Sequence, residues 1–232
     1  MRSGTRAAAA ASAAARANDP PTARAARAAL VAEIERRDPG LSSRTLDVLR
    51  TVPRHLFVPA SALADAYANH AHSIGHGQTI SQPTVVAIIT EALQLSGDER
   101  VLEVGTGSGY QAAVLSRLAG TIYSIEVVAA LAESARARLA ALGYANVTVK
   151  HGDGYQGWPE HAPFERIILT AAPPQLPALL VEQLCDGGIL VAPLGAGDQH
   201  LYRWTKRDGA LTREYLGAVR FVPLIGVEGW AE

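Results

Sequence analysis

The chain has 232 residues, 48% of them hydrophobic, and its 21 Lys and Arg against 22 Asp and Glu leave a net charge of −1. That length and apolar content suit one substantial core, and the balanced charge leaves no electrostatic footprint for polyanion binding. A single cysteine, Cys185, excludes an internal disulfide and fits a cytoplasmic compartment, and no run of 18 apolar residues is present to span a membrane. Expected partners therefore include neither nucleic acid nor membrane, and the chain is expected to act as a monomer.

Residues 1–22 are rich in Ala and Arg and read as a disordered tail. The run Ala7–Ala15, broken by Ser12, is too weakly apolar for a signal-peptide core, and an overcalled start codon is another reading. Asp19-Pro20-Pro21 marks a break before the folded part. Residues 23–232 are expected to form a single domain, with a helical and lid region at 23–95, a cofactor-binding core at 96–195 and a C-terminal hairpin and tail at 196–232. Helices are expected from about Ala23, with Leu30 and Ile34 inside, and over Ser42–Thr51. Val52–Pro59, held between prolines, is expected to be extended. A glycine-containing stretch, Ile74-Gly75-His76-Gly77-Gln78-Thr79-Ile80-Ser81-Gln82, then leads to Pro83, which suits the first turn of a helix with Val85, Ile88, Ala92 and Leu93 on one face.

From there helical and strand patterns alternate. Strands are expected at 101–105, 121–126, 146–150, 165–170 and 188–194, and a helix over 111–119 closed by Gly120 as a C-cap. Asp208-Gly209 between two β-rich runs is a hairpin signal. The fold class is α/β: a doubly wound, Rossmann-like sheet, mostly parallel, with helices on both faces and an antiparallel hairpin at the C-terminal end.

One stretch carries chemistry. Val101-Leu102-Glu103-Val104 runs into Gly105, Gly107 and Gly109, a turn in which backbone can approach a ligand that a Cβ would block. The next strand ends on Glu126, 17 residues after Gly109. An acid there stands at the tip of the neighbouring parallel strand, where it can accept from both hydroxyls of a ribose. The spacing is G-x-G-x-G, not the G-x-G-x-x-G that sets a pyrophosphate on a helix N-terminus. A nucleoside cofactor without a phosphate fits; a tight turn with no ligand is the plain structural alternative.

Ser81 has two readings of its own, a hydroxyl capping the helix that follows or part of a mobile lid over a cofactor. His70, His72, His76 and His151 lack the carboxylate or thiolate spacing of a metal site, and none is expected to bind metal. Ser81 lacks the G-x-S-x-G elbow of an acyl-transfer nucleophile.

Taken together, Pro53-Arg54-His55-Leu56-Phe57-Val58-Pro59, Gly75-His76-Gly77-Gln78-Thr79-Ile80-Ser81-Gln82-Pro83, Val101–Gln111, Gly152-Asp153-Gly154, Phe164–Pro173, Gly187–Gly195 and Val219–Leu224 resemble the protein-L-isoaspartate O-methyltransferase family, in the same order, over roughly residues 45–225. The resemblance implies methyl transfer from S-adenosyl-L-methionine to the free carboxylate of L-isoaspartyl residues in damaged proteins or peptides. It implies Ser81 as the active-site residue. Cofactor contacts would fall to Thr79, Ile80, Glu103, Gly105, Gly107, Gly109, Glu126, Val127, Gly152, Asp153 and Thr170, with Asp153 accepting from the adenine amino group. Substrate contacts would fall to His76, Val222, Pro223 and Leu224. Asn69 departs from the acid usual in the family after its tyrosine, and His70-Ala71-His72-Ser73 replaces a proline-rich approach; both touch the expected substrate side. A tRNA methyltransferase of the same fold and a non-catalytic cofactor-binding relative stay open as alternatives.

Overall fold

Short apolar runs separated by glycine turns become one seven-stranded sheet in the computed structural model, which describes residues 18–226. Two helices, α1 (Pro21–Arg37) and α2 (Ser43–Thr51), precede a small hairpin of β1 (His72–Gly75) and β2 (Gln78–Ile80). Then follow α3 (Pro83–Ala92), β3 (Arg100–Val104), α4 (Tyr110–Leu115), β4 (Thr121–Glu126), α5 (Ala129–Ala141), β5 (Val147–His151), β6 (Phe164–Leu169), α6 (Ala178–Glu182), β7 (Leu184–Leu194), β8 (Gln199–Arg207) and β9 (Ala210–Val219). The sheet order is β5-β4-β3-β6-β7-β8-β9; the first five strands run parallel and the last two pairings are antiparallel. No helix among the described residues is long and apolar enough to cross a membrane.

The parallel strands are apolar on both sides because both faces are covered. Alternate residues separate into two cores. Val101, Ile122, Ile168 and Val191 pack with Leu30, Leu49, Ile89, Leu115 and Leu139 of the helices α1 to α5. Leu102, Ile125, Ile167 and Leu190 pack with Leu180 of α6, Tyr155 and Trp204. Each such side chain contributes roughly 1.5–3 kcal/mol by leaving water. Asp208 (φ 49°) and Gly209 (φ 77°) form the two-residue turn between β8 and β9, as the sequence led one to expect.

Several local expectations change. Of the tail foreseen over 1–22, residues 1–17 lie outside the described residues, and the rest is built into the fold. Pro21 opens α1, and Asp19 is buried against Arg27, whose Nη1 and Nη2 donate to its two carboxylate oxygens at 3.0 and 2.7 Å. Arg27 also donates to the Arg50 carbonyl and the Tyr67 hydroxyl, so the start of the chain is tied to α2 and to the segment before β1. Val52–Pro59 is not extended: Arg54–Phe57 make one helical turn, and Phe57 packs edge-on to Tyr110. Helix α4 stops at Leu115, and Gly120 is no C-cap; it lies where the chain passes Asp98, whose carbonyl oxygen a Cβ would meet at 2.8 Å. Helix α3 buries Val86, Ala87, Ile89 and Thr90 beside Leu93, and leaves Val85 and Ile88 half-buried. The polar Thr90 hid that face in the sequence; its hydroxyl accepts from Gln111 Nε2 at 3.0 Å.

Replacing Asp19 with Asn leaves the buried Arg27 guanidinium without its counter-charge. Asp19→Asn is expected to lose about 3 kcal/mol of unfolding free energy, the scale for breaking one side of a buried pair. Denaturant titration checks this, and an unchanged midpoint would mean that the first helix is held by its apolar face alone.

Candidate active site

The parallel pairing of β3 with β4 sets the site, because it brings the end of one strand beside the tip of the other. Beyond Val104, Gly105, Gly107 and Gly109 all take positive φ, at 101°, 52° and 86°. Only glycine holds such a run without strain. The turn is pinned to β4 by the Gly105 and Thr106 amides, which donate to the Ile125 carbonyl at 2.8 and 3.2 Å. At Gly105 a Cβ would collide with Thr170 Oγ1, which itself donates to the Gly105 carbonyl at 2.5 Å. Gly109 is different: it is the N-cap of α4, and a Cβ there would press on Leu139 of α5 at 3.2 Å. Its role is packing.

Glu126 is buried at the tip of β4. Its Oε2 accepts from the Gly107 amide at 2.7 Å and its Oε1 from the Val128 amide at 3.0 Å. A cavity opens in front of it, lined by Thr79, Gly105, Gly107, Glu126, Val127, Gly154, Thr170, Ala171 and Val222–Ile225 among others. Among the described lining residues Glu126 is the only charged one. A phosphate would find no cation here, whereas a nucleoside carrying a sulfonium meets a carboxylate and a glycine turn free of side chains. The residues fit S-adenosylmethionine.

Glu103 does not reach this cavity. It is fully buried behind the turn, where Oε2 accepts from Ser124 Oγ at 2.5 Å, and Ser124 in turn pairs with Thr106 Oγ1 at 2.6 Å. Its Oε1 has no partner among the described residues. Burial pushes its pKa up to about 8, against the pull of the Ser124 hydroxyl and with a push from Glu126. A neutral acid is what an unpartnered buried oxygen calls for.

The hairpin β1–β2 folds over the glycine turn: a Cβ on Gly107 would stand 3.4 Å from Ile74 Cδ1. Gly75, His76 and Gly77 at its tip all have positive φ, and His76 is exposed and lines none of the cavities described here. Thr79 and Ile80 lie at its base. A second cavity joins Thr79, Ile80 and Ser81 to Gly105, Gly107, Tyr110 and Thr170. A third, an open groove of about 700 Å³, is bounded by His70, Ala71, Thr79, Ser81, Gln82, Val85 and residues 218–222. Ser81 is a wall of both. It caps nothing: the N-cap of α3 is Gln82, without a side-chain cap bond, and the Ser81 hydroxyl has no hydrogen-bond partner among the described residues.

Asp153 lines none of these cavities; its Oδ1 accepts from the Tyr155 amide at 2.9 Å and caps the turn Gly154–Gln156. Gly152 donates its amide to the Glu126 carbonyl at 2.9 Å and stays behind the lining. Val222, Pro223 and Leu224 form a wall of the glycine-turn cavity by running beside Ala172, which donates to the Val222 carbonyl and accepts from the Leu224 amide. Sequence reading did not assign Gly154, Ala171 or Tyr110 to the site, although all three fall inside stretches that carry the family resemblance. Asn69 turns out to be structural: its Oδ1 accepts from both Thr84 N and Oγ1, and its Nδ2 donates to Glu33 at 3.4 Å. An acid there would face Glu33 with like charge.

A doubly wound parallel sheet with a phosphate-free nucleoside half-site between β3 and β4 defines the class: an S-adenosylmethionine-dependent methyltransferase fold. Comparison with known proteins narrows it. A family model described as protein-L-isoaspartate(D-aspartate) O-methyltransferase matches residues 25–229. The protein-L-isoaspartate O-methyltransferase of Dictyoglomus turgidum is 54% identical over 192 residues, 82% of this chain and 87% of its own. That of Halorhodospira halophila is 54% identical over 184 residues, 78% of this chain and 84% of its own. A solved protein-L-isoaspartate O-methyltransferase superposes with a TM-score of 0.80 at 29% identity, over 88% of this chain and 67% of its own. The chain belongs to the protein-L-isoaspartate(D-aspartate) O-methyltransferase family.

Glu103 gives a pH prediction. With a folded pKa near 8 against 4.5 for the free group, the unfolded chain loses this proton first as pH rises between those values. Unfolding then gains on folding across that window, so Glu103 makes the fold less stable with rising pH. Glu103→Gln removes that slope, and its melting temperature minus that of the wild type should climb from pH 5 to pH 8. A difference that stays flat would show Glu103 ionised in the fold.

Proposed function

We propose that this chain transfers a methyl group from S-adenosylmethionine to the free carboxylate of L-isoaspartyl residues in damaged proteins and peptides, the first step of their repair. The observation that carries the reading is Ser81 standing as the common wall of a glycine-turn cavity and an open groove, with no structural hydrogen bond to occupy its hydroxyl. Family membership points the same way.

When bound, S-adenosylmethionine supplies a sulfonium methyl that a carboxylate oxygen takes in one displacement, the carbon–sulfur pair going to sulfur. No proton moves, so no general base is needed, and the chain's task is alignment and exclusion of water. In this reading Glu126 accepts from the ribose hydroxyls while the Gly107 and Val128 amides hold it still. Gly105, Gly107 and Thr170 shape the floor, Val127 the side, and Thr79 and Ile80 the lid. Gly152 and Asp153 lead into Gly154 and form the rim at the adenine end. Ser81, a neutral donor, receives the isoaspartyl carboxylate from the groove without setting a second anion beside it. Val222, Pro223 and Leu224 guide the peptide, and His76 meets it at the tip of the hairpin. The reading has the chain working as a monomer in the cytoplasm on protein substrates, and its lone cysteine fits a reducing compartment.

The test pairs substrate with mutant. Wild type should release methanol from an isoaspartyl peptide after methylation, and little from the aspartyl isomer or from tRNA. Ser81→Ala should keep the melting temperature of wild type, because it breaks no cap, and change cofactor affinity little. Its turnover should fall about ten- to a thousand-fold, the scale of one lost positioning contact near reacting atoms. Wild-type turnover by Ser81→Ala would remove the hydroxyl from the reaction.

A further inference from the structure

Arg54 is a wholly buried cation, 0% exposed, in the helical turn Arg54–Phe57. Its Nε donates to the Ala66 carbonyl at 3.0 Å and its Nη2 to the Ser81 carbonyl at 2.8 Å. The guanidinium lies 5.0 Å from the centroid of the Tyr110 ring. Its Nη1 is buried with no partner among the described residues, where the ionisable groups facing it are the phenols of Tyr110 and Tyr67 and the imidazole of His72. No carboxylate among the described residues pairs with it. Folded proteins bury arginine when it is paired, and an apolar side chain would otherwise serve the core better.

Ala66 belongs to the segment leading to the groove wall at His70 and Ala71, Ser81 is the wall shared by the groove and the inner cavity, and Tyr110 lines that cavity. A planar fork can keep two carbonyls at a fixed separation, which an ammonium cannot. The start of α3 has its own tether, since Gln82 Nε2 donates to the Asn69 carbonyl and Thr84 donates twice to Asn69 Oδ1. Arg54 is therefore not needed to begin the helix. Its contact falls on Ser81, between β2 and that tether.

We propose that Arg54 is a positioning residue for methyl transfer, its fork fixing the Ser81 backbone and thereby aiming the Ser81 hydroxyl at the boundary between cavity and groove. The inference rests on the role of Ser81 proposed above.

Arg54→Lys keeps the charge and loses the fork. Arg54→Gln keeps a donor and loses the charge, and is measured in parallel so that either variant, if folded, decides the matter. In the wild-type background turnover on an isoaspartyl peptide should fall about tenfold or more, with cofactor affinity unchanged within about twofold. In a Ser81→Ala background the same substitution should add less than about twofold, since both act through one hydroxyl. The Ser81 carbonyl carbon should shift upfield in the NMR spectrum as it loses the hydrogen bond from Arg54, with the carbonyls of β3 to β6 unmoved. Losses that multiply between Arg54 and Ser81, or a Ser81 carbonyl shift that stays as in wild type, would overturn the inference. Should the wild type leave isoaspartyl peptides unmethylated, the substrate reading fails by itself, and the Ser81 carbonyl shift then decides for or against Arg54 alone.

Discussion

Glu126 is a buried carboxylate that takes its stabilisation from backbone amides and has no ion-pair partner among the described residues. The amides of Gly107 and Val128 reach its two oxygens at 2.7 and 3.0 Å. Everything around it follows from keeping that arrangement. The amide of Gly107 points at β4 only because three glycines turn the chain through positive φ, and the turn reaches β4 only because β3 and β4 run parallel in register, Val104 opposite Ile125. Charge-assisted bonds of this kind are the stronger ones. They fix an acid at the mouth of a cavity otherwise lined by neutral groups, and so set which ligands it favours.

The N-terminal third of the chain reads as a device for placing Ser81. Asp19 anchors Arg27, Arg27 reaches Tyr67, and Tyr67 meets His55 through a 2.7 Å hydrogen bond. Next to His55 stands Arg54, which holds the carbonyls of Ala66 and Ser81. Asn69 completes the frame from the other side through Gln82 and Thr84. Neither α1 nor α2 lines the groove; they hold the segment whose His70, Ala71, Ser81 and Gln82 do. Buried polar groups are retained in such numbers where geometry matters more than raw stability.

Much of this was legible in the residues. The five parallel strands begin within one residue of their expected starts except β7, which starts at Leu184 because a bulge near Gly187 and Gly188 lets it pair with Phe164 as well as Arg166. Asp208-Gly209 and the glycine run were readable because each demands a backbone that few residues accept. What could not be read lay in tertiary partners. Asp19 next to two prolines looks like a chain break until Arg27 is seen to fold back on it. Ser81 looks like a cap until the helix is seen to begin at Pro83 behind Gln82. Asp153 also caps the turn that follows it, its Oδ1 accepting from the Tyr155 amide, a contact that its place after Gly152 did not announce. Glu103 stands two residues before the first glycine of the turn, yet its side chain is buried against Ser124 and takes no part in the cavity lining.

The cofactor is expected to lie against Glu126 with its sulfur turned toward Ser81. A crystal structure of the chain with S-adenosylhomocysteine and an isoaspartyl peptide tests that directly. Both ribose hydroxyls should fall within hydrogen-bond reach of the Glu126 carboxylate, the cofactor sulfur beside the second cavity, and the isoaspartyl carboxylate on the Ser81 hydroxyl. A nucleoside seated away from Glu126, or a peptide carboxylate held by residues other than Ser81, would contradict it.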